Sequence, residues 1–299
     1  MIQISNFVKK FEDYNAVNNI FLEIDEHSVT GLVGTNGSGK STLLRSLVGI
    51  YQADSGSIKV DGREVFENTY AKSEIFYVSD DMYFPSTANL EQMGKFYKSM
   101  YANFSEEKFK SLLSKFPIDP KKRTSTYSKG MFRQAALIIA VSCCPKYLLL
   151  DEAFDGLDPV IRVAVRKVIA EEVSEGNMSV IIASHNLREL EDLCDTICIM
   201  HKGELITKIT SEEINEHFCK IQAAFNEVPE KEKLMLEGVL TVDINGKVAT
   251  IAARNDGDVI LEKLKVFNPI FTETMPMSLE EVFIYEMEAI GYDYNKIIF

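Results

Sequence analysis

The chain has little of what would carry it out of the cell or through a bilayer. Its 299 residues include five cysteines, Cys143, Cys144, Cys194, Cys198 and Cys219. That number is odd and sparse for a disulfide framework, so reduced thiols in a cytoplasmic setting are expected. Cys194-x-x-x-Cys198 has no second pair behind it and reads as small buried side chains rather than a zinc site. The opening Met1-Ile-Gln-Ile-Ser-Asn-Phe7 has neither a basic end nor an apolar core, so no secretory signal is expected. The longest apolar run, around Ala135–Cys144, is about half of the ~20 residues that a spanning helix requires. Basic residues are also scarce: 32 Lys and Arg stand against 45 Asp and Glu, a net charge of −13. Such a chain repels a polyanion, and the basic triple Lys121-Lys122-Arg123 reads as a solvated loop. Nucleic acid is therefore not an expected partner.

What is present is an apolar content of 46%, enough for one large domain or a large and a small one. The chain is organised around Gly34-Thr-Asn-Gly-Ser-Gly39-Lys40-Ser41-Thr42, which fits the phosphate-binding spacing G-x-x-x-x-G-K-[ST]. Ser28–Val33 before it reads as a short apolar strand, and Thr42–Val48 after it as the opening of a helix. In that context the glycines let backbone N–H groups curl around phosphate oxygens. The helix N-terminus adds partial positive charge at the same place. Lys40 supplies a full charge for the β- and γ-phosphates, and Ser41 can place its hydroxyl on Mg²⁺. A nucleoside triphosphate is the expected ligand.

Along the chain, Met1–Asn6 and Ile20–Asp25 alternate like antiparallel strands, with a polar turn from Lys9 to Tyr14 between them. Glu74–Ser79 reads as a buried strand ending in Asp80-Asp81. Apolar spacing from about Asn89 to Phe116 predicts helices, and Phe132–Ser142 another. Strand Lys146–Leu150 ends in Asp151-Glu152. Helix Asp158–Val173 follows, then strand Ser179–Ala183 ending at Ser184-His185, helix Asn186–Cys194 and strand Thr196–Met200. Alternating strands and helices predict a parallel α/β sheet with ligand groups at the carboxyl ends of its strands. Asp151, Glu152 and His185 all fall at such ends.

Five ordered motifs carry a family resemblance: the P-loop, Tyr127-Ser-Lys-Gly-Met131, Leu148-Leu-Leu-Asp-Glu152, Phe154-Asp-Gly-Leu-Asp158 and Ser184-His185. Over roughly residues 1–210 the chain resembles ATP-binding-cassette (ABC) ATPases. The resemblance implies a P-loop α/β cassette with an antiparallel β subdomain and a helical subdomain at about 81–145. It implies that ATP and Mg²⁺ are the cofactors. Asn36, Gly37 and Ser38 join Gly34, Gly39, Lys40, Ser41 and Thr42 in the expected phosphate loop. Asp151 resembles the Mg²⁺-positioning acid beside Ser41, Glu152 the general base, and His185 the switch histidine that contacts the γ-phosphate, so Glu152, His185 and Lys40 form the expected catalytic set. Phe11 resembles the aromatic that stacks on adenine, with Tyr14 as its rival and simple packing open for both. The family's glutamine falls near Asp80; this departure puts a carboxylate there, which can still take Mg²⁺. Downstream, Met82-Tyr-Phe-Pro85 is either an exposed aromatic patch that docks a partner or local packing.

Tyr127-Ser-Lys-Gly-Met131 resembles the family signature Leu-Ser-Gly-Gly-Gln, matching at Ser128 and Gly130 and departing at Tyr127, Lys129 and Met131. In this family that segment faces the nucleotide of an opposite cassette, which implies a dimer of two copies or of paralogues. The missing membrane span implies a separate permease and a cytoplasmic location, peripheral on the inner face of the membrane.

From about residue 211 to 299 the nucleotide motifs stop. Strand His217–Phe225, helix Glu230–Leu236, a hairpin over Val239–Ala253 turning at Asn245-Gly246, helix Asp256–Lys265 and extended Val266–Glu273 predict a small ferredoxin-like α+β domain. Ser278–Ile290 then reads as a helix capped at Ser278, and similar tails, Ser-Leu-Glu-Glu-x-Phe, end exporter members of the family. The expected function is the ATP-hydrolysing subunit of a membrane exporter. The alternative is a non-transport cassette ATPase acting on ribosomes or nucleic acid, although the chain carries neither a coiled-coil insertion nor a second cassette. A P-loop kinase or GTPase leaves Ser128 and His185 unexplained.

Overall fold

The computed structural model describes residues 1–254 and 257–289. The chain divides into two compact units, Met1–Lys208 and the residues from Ile209 onward. The first unit opens with strands β1 (Ile2–Phe11) and β2 (Tyr14–Ile24). The polar turn expected over Lys9–Tyr14 is mostly strand: the pairing runs out to Phe11 and Tyr14. The reversal is confined to Glu12-Asp13, with Glu12 at φ 52°. Then come β3 (Val29–Val33), helix α1 (Lys40–Leu47), β4 (Ser55–Val60), β5 (Arg63–Glu64), α2 (Thr69–Ser73) and β6 (Ile75–Val78). The helical insertion is α3 (Leu90–Met100) and α4 (Glu106–Lys115), each starting on a side-chain cap, Asn89 and Ser105. The signature segment leads into α5 (Lys129–Ser142). The unit closes with β7 (Tyr147–Asp151), α6 (Pro159–Ser174), β8 (Ser179–Ser184), α7 (Leu187–Glu191), β9 (Thr196–His201) and β10 (Glu204–Thr210). Helix α7 is shorter than the spacing predicts, and α2 was not read from the sequence at all.

Two sheets organise this unit. One is ordered β2-β1-β4-β5 with antiparallel pairing throughout. The other is ordered β10-β9-β3-β8-β7-β6, and the neighbours from β9 to β6 run parallel. Its central strands β3, β7 and β8 are buried at every position. A parallel sheet is covered on both faces, which is why these strands read as unbroken apolar runs rather than as alternation. The parallel strands align their carboxyl ends, so Val33, Val78, Asp151 and Ser184 finish along one rim.

The second unit begins with α8 (Ser211–His217), which was not expected from the sequence. It continues through β11 (Cys219–Ala224), α9 (Lys231–Leu234), β12 (Val239–Asn245), β13 (Val248–Ala253), α10 (Gly257–Leu264), β14 (Phe271–Pro276) and α11 (Leu279–Ala289). Its antiparallel sheet is ordered β12-β13-β11-β14. Ile221, Val242, Ile251, Ile260 and Leu264 fill its core without exposure. The extended run expected from Val266 starts later, because a 3₁₀ turn occupies Lys265–Phe267. Ser278 caps α11: its hydroxyl accepts from the Glu281 N–H, and its own N–H donates to the Glu281 carboxylate at 2.9 Å. The expected helix start at Asp256 and helix end at Ile290 lie outside the described residues.

Candidate functional site

At the carboxyl rim of the parallel sheet, a cleft of about 430 Å³ is lined by the P-loop from Asn36 to Thr42, by Phe11 and Tyr14, and by Asp80, Asp151 and Glu152. The loop leaves β3 and closes onto α1 through Gly39, whose φ of 105° suits glycine. A Cβ there would sit 2.4 Å from the Ala16 carbonyl oxygen. Lys40 is 5% exposed. Its Nζ donates to the Gly34 carbonyl at 2.7 Å and to the Thr35 carbonyl at 3.2 Å. Burial lowers its pKa, and the nearby Glu152 and Asp151 charges work against that. A desolvated ammonium under a glycine-rich loop suits phosphate oxygens, which offer the counter-charge that the carbonyls only partly supply.

Asp151 ends β7 and is 1% exposed. Its Oδ1 accepts from the Ser41 hydroxyl at 2.9 Å and its Oδ2 from the Tyr77 hydroxyl at 2.8 Å. Hard oxygen donors held this close suit Mg²⁺, which takes a few protein oxygens, waters and phosphate together. Glu152, the next residue, sits at φ 50° with its N–H donating to Ala183 on β8 at 2.9 Å. His185 follows the end of β8 and places Nδ1 2.9 Å from Glu152 Oε2. The candidates Glu152 and His185 are thereby brought together.

Other candidates fall differently. Asp80 lines the cleft, but its carboxylate is taken up by Arg133 of α5, whose guanidinium also donates to the Ser79 carbonyl at 3.0 Å. The oxygens brought together beside the loop are those of Ser41 and Asp151, without Asp80. Phe11 and Tyr14 both line the cleft, so neither is simple core packing. Phe11 stands edge-on to Tyr51 with ring centroids 5.2 Å apart, and the Tyr14 hydroxyl donates to Gly37 at 3.3 Å. Gly34 lies beneath the loop as the acceptor for Lys40. Ser128 and Gly130 are not in the cleft: Ser128 caps α5, accepting from the Met131 N–H at 3.2 Å. Gly130 packs against the turn at Gly156, where a Cβ would lie 2.6 Å from the Gly156 carbonyl.

Arg45, Tyr77 and Asp155 were not singled out from the sequence. Arg45 lines the cleft from α1. Asp155 brings a carboxylate oxygen within 4.8 Å of the polar atoms of Glu152 and His185. Its place in Phe154-Asp-Gly-Leu-Asp158 was a signal; Tyr77, inside an apolar strand, offered none.

A strand, glycine-rich turn and helix, with an acid pair at the neighbouring strand end, define a P-loop nucleoside triphosphatase. The family described as ABC transporter matches residues 17–155. YtrB of Bacillus subtilis, an ABC transporter ATP-binding protein, is 28% identical over 95% of this chain and 97% of its own. The lantibiotic transport ATP-binding protein SrtF of Streptococcus pyogenes is 32% identical over 73% of this chain and 96% of its own. The sulfate/thiosulfate import ATP-binding protein CysA 2 of Shewanella oneidensis is 31% identical over 71% and 63%. Among solved structures, cbiO1 of Clostridium perfringens, part of the ABC transporter complex cbiONQ, superposes with a TM-score of 0.61. It is 26% identical and covers 71% of this chain and 89% of its own. The chain belongs to the ABC transporter ATP-binding proteins: it is an ATP-binding subunit and an ABC-type ATPase.

Proposed function

We propose that the chain powers a multi-component membrane exporter, with two cassettes closing on ATP and Mg²⁺ and reopening after hydrolysis. The observation that carries this reading is the separation within one chain of the P-loop cleft from Ser128 and Gly130 at the start of α5. A second cassette, a copy or a paralogue, would bring its signature segment to this cleft and complete the site. In that closed state Lys40 and the loop would hold the phosphates, while Ser41 and Asp151 would hold the cation. Glu152 polarises the attacking water and His185 orients Glu152 and the γ-phosphate. Bound Mg²⁺ would neutralise charge that develops on the phosphates.

Among the described residues no helix is long and apolar enough to cross a membrane, which supports a separate permease and a peripheral position on the cytoplasmic face. A groove of about 540 Å³ lined by Tyr83, Pro85, Phe96 and Tyr97, with Tyr83 74% exposed, supports docking of a cytoplasmic segment of that permease. Export rather than import rests on the tail Ser278-Leu-Glu-Glu-Val-Phe283; relatives named for import leave direction to be measured. The small second unit fits a regulatory or dimer-supporting role.

The test is Glu152→Gln, which should bind ATP and hydrolyse it slowly, purified from native membranes with ATP and Mg²⁺. Mass spectrometry should find a multi-span membrane protein in fixed ratio, and vesicles holding that pair should then report the direction of transport. Ribosomes or nucleic acid in place of a membrane protein would sink the transporter reading.

A further inference from the structure

Asp151 has both carboxylate oxygens engaged by hydroxyls, and only one of these follows from the P-loop. The second, Tyr77, comes from the strand beside it. Tyr77 pairs with Leu149 in the parallel register of β6 and β7. Leu149 and Asp151, two residues apart on a strand, present the same face. Register therefore aims the Tyr77 hydroxyl along the sheet at Asp151, and the contact closes at 2.8 Å.

Arg45 of α1 lines the same cleft, and its positive charge acts on both Tyr51 and Tyr77. A phenol carries one proton and accepts through its lone pairs. An ionised carboxylate can only accept, so that single proton goes to Asp151 Oδ2. Tyr51 in turn meets the ring of Phe11, which lines the other end of the cleft.

We propose that Tyr77 is a positioning residue for the metal end of the site. It fixes the Asp151 carboxylate so that Oδ1, on the Ser41 side, is the oxygen turned toward an arriving divalent cation. The proposal rests on the reading of Asp151 as the cation-positioning acid. A Tyr77 that merely packs β6 against its neighbours would serve equally well as phenylalanine.

The experiment is Tyr77→Phe in the full chain, made on the Glu152→Gln background so that ATP persists, with Asp151→Asn beside it. Mn²⁺ is titrated in the presence of ATP by electron paramagnetic resonance, and ATP affinity without divalent cation is measured separately. Loss of a hydrogen bond to a charged group should weaken Mn²⁺ about tenfold in Tyr77→Phe, with metal-free ATP affinity held within about twofold. Unchanged Mn²⁺ affinity in Tyr77→Phe, with Asp151→Asn losing it, overturns the inference and leaves the reading of Asp151 standing. If neither variant alters Mn²⁺ affinity, that reading falls and the inference with it. Metal-free ATP affinity falling in step with Mn²⁺ marks general damage to the cleft and also overturns the inference.

Discussion

Gly39 and Glu152 both hold positive φ beside the phosphate loop, yet they tolerate substitution differently. Glu152 sits at 50°, a left-handed conformation that a side chain can enter at modest cost. Gly39 sits at 105°, and an added Cβ would press 2.4 Å against a backbone oxygen that cannot rotate aside. Gly39→Ala should therefore cost about 1–3 kcal/mol of stability and weaken ATP binding at least tenfold, read by urea unfolding and calorimetric titration. Glu152→Gln should leave both nearly unchanged while slowing hydrolysis about 10²–10⁴-fold. An alanine at Gly39 that unfolds and binds like the wild type would show that the loop does not need this backbone.

Between elements, the antiparallel and parallel sheets are tied by a polar cluster. Asp61 in the β4–β5 turn accepts from Lys146 at 2.9 Å and from the Tyr147 hydroxyl at 2.8 Å, both at the start of β7. Burial pushes the Asp61 carboxyl up, but hydrogen bonds from Lys146, the Met1 ammonium and Tyr147 outweigh it and hold the group well below its ordinary 3.8. A depressed carboxylate stabilises the fold fully above its unfolded pKa and loses that contribution as pH falls through its folded value. Asp61→Asn should then cost about 1–2 kcal/mol at pH 7, discounted for partial exposure. The gap between urea midpoints should shrink below about pH 4, where the Asp61 carboxyl of the unfolded chain begins to protonate while the folded one stays ionised. A gap that stays constant down to pH 2 would remove the charge from the explanation.

The same scale shows what the sequence made legible. The P-loop, the acid pair after Leu148-Leu-Leu150 and the histidine after Val180–Ala183 were readable because each motif sits where a buried apolar strand stops. Tyr77 was not readable: its partner is set by strand register, which periodicity alone does not give. The Asp80–Arg133 pair was hidden for a related reason, since Arg133 lies on a helix whose apolar face gave no sign of a buried cation. The β1–β2 hairpin was underestimated because Lys9, Lys10 and Asn15 are polar residues on a partly exposed sheet, where alternation weakens.

For the whole molecule, the proposal that a second cassette completes the cleft makes the assembly state conditional on nucleotide. With ATP and Mg²⁺, Glu152→Gln should double in mass by light scattering if the partner is a second copy, and Ser128→Arg on that background should keep it single. Doubling in mass without nucleotide would break the link between assembly and the cleft. A chain that stays single in every condition would point to a paralogue as its partner, testable by adding candidate cassettes.

Lys40 already donates to the carbonyls of Gly34 and Thr35. Those carbonyl oxygens supply part of the negative charge that a phosphate would bring, and they hold the ammonium in place under the loop. An arriving triphosphate takes over a donor rather than recruiting one, and little loop entropy is spent on closing around it. Association should then run at rates set by encounter and by the charge of the mouth, with selectivity residing in how slowly the right nucleotide leaves.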